Sequence, residues 1–144
     1  MDIKKHFTRA FVIESRIDKL CEKIEMLRAK QSCGGGLGDG LRVQKSRNYR
    51  RTEDISVSIL ELENELAKEK MALLNLEMEI KAISRNSESP LARAIITWRY
   101  ICRLKWKDIA ARADMSEMQI IREHNAALLQ IERNISGLTN SVAN

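Results

Sequence analysis

Four residues near the C-terminal end of the chain are candidates for contact with base edges: Met118, Gln119, Arg122 and Asn125. Gln and Asn pair bidentately with adenine and Arg with guanine, so on the outer face of one helix they suit the major groove of duplex DNA. The small Ala126 lies beside them. Lys105, Lys107, Arg112 and Ser116 flank the stretch and are the expected phosphate ligands, supplying affinity without sequence preference. A further basic run, Arg42, Lys45, Arg47, Arg50 and Arg51, is a possible second phosphate-binding patch or simply a solvated charge run.

Other chemistries find little support. His124 falls on the inward stripe of its helix without a carboxylate or cysteine at useful spacing, which predicts a core or helix-bridging histidine. Trp98 and Trp106 are expected to pin neighbouring helices together. Cys21, Cys33 and Cys102 are odd in number and widely spaced, with no CxxC; no metal site is expected, and reduced thiols point to the cytoplasm. The glycine run at Gly34–Gly40 lacks the Gly-Lys-Ser/Thr ending and preceding strand of a phosphate cradle. Neither a Ser-His-Asp order in a strained turn nor paired carboxylates in a cleft context can be traced, so no enzyme and no cofactor is expected.

These residues require helices to position them. Only one proline occurs, five of six glycines lie between positions 34 and 40, and six aromatics are present in 144 residues. This disfavours a sandwich, a barrel or a dinucleotide-binding fold and predicts an all-α chain. Ile3, Phe7, Ala10, Ile13, Ile17, Leu20, Ile24 and Leu27 recur at three and four, predicting a helix over 2–31. Ile55, Ile59, Leu62, Leu66, Leu73, Leu76, Ile80 and Ile83 predict a second over 53–85. Between them, 32–52 reads as a flexible Gly-rich basic loop. The two stripes bury each other in a long antiparallel, coiled-coil-like hairpin over 1–85, with a homodimer through the same stripes as the competing solution.

A three-helix domain over 90–135 comes next. Ser89-Pro90 is a helix entry for a third helix over 90–103. A break at Leu104-Lys105 precedes a fourth over 106–113, and a fifth runs over 116–135. The turn Asp114-Met115 needs one residue with positive φ, and Asp is the nearest residue that tolerates it. Ser116-x-x-Gln119 is a capping box. Ile120, His124, Ala127 and Ile131, with Leu128, form the inward stripe. The polar tail 136–144 is expected to fray.

Charge is uneven. Residues 1–52 hold 13 basic and 6 acidic side chains, 53–89 hold 4 and 9, and 90–144 hold 8 and 5. Basic ends around an acidic middle suit a nucleic-acid partner, or equally an acidic helix paired with a basic one. No apolar run reaches the ~18 residues of a membrane span, and a long apolar stretch is missing from the N-terminus, so neither membrane nor secretory signal is expected.

The stretch from Arg99 to Ile131 resembles the DNA-binding module of sigma factors that reads promoters, a region-four-like helix-turn-helix. Within that superfamily the chain is similar to phage-encoded regulators of the RinA/ArpU-like type. The shared frame is Arg99, Tyr100, Trp106, Ile109, Ala110, Ser116, Arg122, His124, Ala127 and Leu128. Asp114 departs from the glycine common at the turn, and the Gly-rich insertion departs in the hairpin. The resemblance implies a phage or prophage transcriptional regulator of the late-gene activator type, associated with the nucleoid of a bacterial host and touching its RNA polymerase. A small-terminase-like DNA-recognition subunit of a packaging complex is the alternative with the same chemistry. A helical protein-interaction module is the alternative without DNA; exposure of Met118, Ile121 and Leu129 would favour it.

Overall fold

The structure, a computed structural model, describes residues 2–33 and 42–143; the side chains of 33, 42–46, 48 and 139–143 lie outside the description. Its elements, all helical, run in the order α1 (Ile3–Cys33), α2 (Arg42–Ser84), α3 (Pro90–Ile96), a π-helical turn (Thr97–Ile101), α4 (Trp106–Ala113) and α5 (Glu117–Ala143). The chain divides into two compact units, one of residues 13–72 and one of 1–12 with 73–144.

The first unit is an antiparallel two-helix arm. Arg16 pairs with Glu69 at 4.0 Å, Arg28 with Glu63 at 2.6 Å, and Gln31 donates to Ser56 at 2.7 Å, so partners move back along α2 as the chain advances along α1. Ile13, Leu20, Ile24 and Ile59 are buried, and Ile17, Leu27, Ile55, Leu62 and Leu66 are half-buried. The stripes expected to cover one another do so within one chain, which removes the reason for a homodimer through those stripes.

One expectation for this unit is corrected. The span 32–52 is not all loop: α1 runs to Cys33, and Arg42 to Arg51 form the opening turns of α2. Arg, Lys and Gln are good helix formers, and extending a nucleated helix backwards gains one hydrogen bond per residue fixed. Residues 34–41 lie outside the described residues.

The second unit has a fuller core. Asp2 caps α1, its carboxylate accepting from the Lys5 amide at 3.1 Å. The Ile3 amide donates to Glu132 of α5 at 3.0 Å, fastening another orphan donor of that helix end. Ile3, Phe7, Leu76, Ile80, Ile95, Ile96, Tyr100, Ile109, Ile120 and Ile131 are buried. Ser89 caps α3 by accepting from the Ala92 amide at 3.3 Å, with Pro90 in the first helical turn as expected.

The third helix is shorter than its sequence suggests. Regular α-geometry ends at Ile96, and the Cys102 amide reaches back five residues to the Thr97 carbonyl at 3.0 Å. Arg103 then takes φ 55° and turns the chain into Leu104 and Lys105. The extra residue in this wide turn shifts the direction in which the chain leaves it. Phe7 meets the Tyr100 ring edge-on at 5.2 Å. A second correction concerns the C-terminus, because helix continues through Ala143 instead of fraying after Ile135.

Candidate nucleic-acid interface

The α4–α5 pair rests on a few local rules. In α4, Ile109 and Ala110 point inward and join Ile95 and Ile120 in one cluster, ringed by Leu91, Trp98, Leu104, Trp106, Ala113 and Met115. Ala110 is small where the helices cross, and a longer side chain would separate them. Asp114 sits in the left-handed region with φ 53°. Its amide points at the Ala111 carbonyl at 3.4 Å, and the Met115 amide bonds the Ala110 carbonyl at 3.1 Å. That is a Schellman ending with aspartate in the glycine position. It satisfies carbonyls at the end of α4 and re-aims the chain into α5.

Ser116 and Gln119 form the expected reciprocal cap. The Ser116 hydroxyl accepts from the Gln119 amide at 3.2 Å, and the Gln119 side-chain oxygen accepts from the Ser116 amide at 3.2 Å. It also lies 3.2 Å from the Ser116 hydroxyl, which donates to it. Two residues assigned to DNA contact are therefore brought to each other. Bidentate adenine readout by Gln119 requires its carbonyl to leave the cap, so in this conformation its amide nitrogen is the group turned to a partner.

The inward stripe of α5 is buried as its spacing requires: Ile120, His124, Ala127, Leu128 and Ile131. Met118, Arg122, Asn125 and Ala126 are exposed, as are Lys105, Lys107 and Arg112. Met118 is 72% exposed, Leu129 54% and Ile121 36%, so the same outer face carries apolar side chains between the polar ones.

His124 bridges helices. Its Nε2 lies 2.6 Å from the Tyr100 hydroxyl and its Nδ1 3.1 Å from the Asn125 side-chain oxygen. A neutral ring with the proton on Nδ1 satisfies both contacts, donating to Asn125 and accepting from Tyr100. Burial pushes the imidazole below its ordinary value; the Asn125 bond opposes this, and the Lys4 and Arg99 charges add to it. Burial likewise lifts the Tyr100 hydroxyl to about 12, against the pull of Arg99. Asn125 is thus half engaged, with its amide nitrogen left for an outside acceptor.

A feature the sequence did not reveal lies beside it. The Arg99 guanidinium stacks between Phe11 at 4.8 Å and Trp106 at 4.3 Å and donates to the Leu104 carbonyl at 2.9 Å. A cleft of about 310 Å³ opens there, lined by Lys4, Thr8, Ile121 and Asn125 among others. Lys4 thus adds a cation at the edge of the α5 outer face. Scarcity of aromatics was the only available signal, since nothing in local spacing links Phe11 to residues about 90 positions away.

Of the second basic patch, Arg47, Arg50 and Arg51 are exposed on α2, in the arm unit. The side chains of Arg42 and Lys45 lie outside the described residues. Among the described residues no group of His, Cys, Asp and Glu is placed to hold a metal ion, and no helix is long and apolar enough to cross a membrane. Comparison with protein-family models, with curated proteins and with solved structures finds no match to this chain.

Proposed function

We propose that this chain binds duplex DNA through its α4–α5 helix-turn-helix. The observation that carries the reading is the outer face of α5: Arg122, Asn125 and the small Ala126 stand exposed on a helix whose entry is fixed by a left-handed Asp114 and a capping box. Such a helix enters the major groove with its N-terminal residues at base edges. Lys105, Lys107 and Arg112 on or beside α4 supply phosphate contacts. Arg122 is the specificity residue, Asn125 and Gln119 contribute through their amide nitrogens, and Met118 makes apolar contact. On the sigma-like resemblance, the job is regulation of phage or prophage transcription in the bacterial nucleoid, with host RNA polymerase as a partner. In a packaging subunit the same contacts would be carried by a ring oligomer, which sizing in solution distinguishes.

The test is a salt titration of binding to random duplex DNA and to DNA upstream of the protein's own operon. Lys107→Ala should weaken binding to all sequences and lower the salt slope by about 1, whereas Arg122→Ala should cost ~1–3 kcal/mol on the preferred site alone. Absence of salt-dependent binding at low ionic strength would overturn the reading.

The exposure of Met118, Ile121 and Leu129 favours a second reading, in which the α5 outer face takes an apolar patch of a protein partner. Met118→Ser with Leu129→Ser separates the two, because it removes the apolar patch without adding negative charge that would repel phosphate. It abolishes a protein contact and leaves the phosphate-driven part of DNA binding in place.

A further inference from the structure

α2 carries a second apolar stripe that its partner α1 does not cover. Val57, Leu60, Asn64, Ala67 and Met71 succeed one another at three and four, and the spacing continues along the same helix to Leu74 and Met78. Every one is exposed, with Val57 at 50%, Leu60 at 59% and Met71 at 58%. At 100° per residue they lie on almost the opposite side of α2 from Ile59, Leu62 and Leu66, which face α1. Scattered exposed apolar residues need no explanation, but three heptads of them in register do.

We infer that this stripe is the seam of a homodimer, in which α2 of one chain pairs in parallel and in register with α2 of a second copy. Three features select a second copy as the occupant. The spacing alternates at three and four without a slip, so a like helix interdigitates along the whole seam. The single polar seam position, Asn64, lies where a symmetric parallel pair sets it against itself, and an amide is both donor and acceptor. The flanking charges do not oppose one another: Glu63, which Arg28 of its own chain holds at 2.6 Å, and Lys68 of the copy are of opposite sign, and no flanking pair sets like charges together. An antiparallel pair would align Glu61 with Lys68 and Glu63 with Lys70, but it sets Asn64 against Ala67. A buried amide left without a partner costs more than exposed ion pairs stabilise. Parallel pairing therefore wins. This seam is independent of the DNA reading.

The full-length protein tests it by sedimentation and light scattering. A dimer is expected at micromolar concentration, and Leu60→Glu with Met71→Glu should raise its dissociation constant at least about 100-fold. Both positions are exposed, so circular dichroism of the variant should keep the wild-type helical signal. Ala67→Cys reports orientation: in a parallel pair the two thiols meet and form an intermolecular disulfide with oxidised glutathione, beyond the background of the native cysteines. A wild-type monomer at about 100 µM, or a dimer indifferent to the two glutamates, overturns the seam. A dimer in which the Ala67→Cys variant fails to cross-link overturns the parallel register. DNA binding by the monomeric variant, read in the same salt titration, stands or falls separately.

Discussion

The arm of residues 13–72 and the unit containing the helix-turn-helix both build from helices alone among the described residues, joined by turns, yet they are held together differently. The arm has one thin seam. Among its described residues only Ile13, Leu20, Ile24 and Ile59 are buried, and the intervening seam residues stay half wet. Two helices can cover only one stripe of each other, and the rest of each cylinder meets water. The other unit surrounds its apolar residues on several sides. There Phe7, Ile95, Ile96, Ile109, Ile120 and Ile131 are sealed completely, and a polar pair, Tyr100 and His124, is buried with them. A repetitive seam tolerates change along its length. A core closed from several directions does not.

The largest effect should come from breaking that closed core. Ile120→Ala should destabilise the helix-turn-helix unit by ~2–5 kcal/mol, because the site is walled by α3, α4 and α5 and cannot collapse. Trp98 and Trp106 both lie in this unit, so tryptophan fluorescence during denaturant unfolding reports it. Ile24→Ala in the arm should cost less, since solvent reaches the space left behind; equal losses would erase the contrast.

Next is the buried polar pair. Tyr100→Phe leaves the buried His124 Nε2 without its hydroxyl partner and should cost ~1–3 kcal/mol by the same readout. Proton linkage probes the same site. The folded imidazole titrates below its ordinary value, so the unfolded chain binds a proton first as pH falls. Its contribution to stability is complete above about pH 6.5 and declines as pH drops through the folded value. Lys4 from α1, Arg99 from the π-turn and the Asn125 carbonyl face the ring, and the two cations steepen the loss. His124→Gln should flatten the dependence of the denaturation midpoint between pH 7 and pH 5; an unchanged profile would remove this histidine from the account.

Smaller effects sharpen the comparison. Asp114→Gly should stabilise by ~0.5–1 kcal/mol, because glycine takes a φ of 53° without a Cβ penalty and the cap bonds are made by backbone amides. A destabilised variant would assign the aspartate side chain a role beyond its backbone. In the arm, Arg28→Ala should cost under about 1 kcal/mol, read as a small fall in the thermal midpoint. Its 2.6 Å contact with Glu63 joins two side chains that are well exposed, and salt screens it.

Much of the helix-turn-helix is legible residue by residue. Trp106–Ala113 as a helix, Asp114 in the left-handed region, the Ser116–Gln119 cap and the buried stripe from Ile120 to Ile131 all follow from local chemistry. Elsewhere the punctuation misleads. The glycines before Leu41 do not silence the basic residues after it, which have ordinary helix propensity and join α2. The polar tail after Ile135 stays helical because a growing helix needs no apolar residue to add its next hydrogen bond. Neither spacing nor propensity marks the π-turn at Thr97–Ile101, where the Cys102 amide reaches back five residues to Thr97.

The sequence by itself determined which residues are helical in the strongly periodic stretches, where α4 stops, how α5 starts and which side of each helix seeks cover. These are decided within a few residues, by dihedral preference, capping and the 3.6-residue period. Only the tertiary structure decided that Arg99 stacks between Phe11 and Trp106, that Asn125 gives its carbonyl to His124, and that Val57, Leu60 and Met71 remain uncovered. Those outcomes depend on side chains up to about ninety positions apart meeting in space. Periodicity encodes that a helix has an apolar face, and it does not encode which surface will cover it.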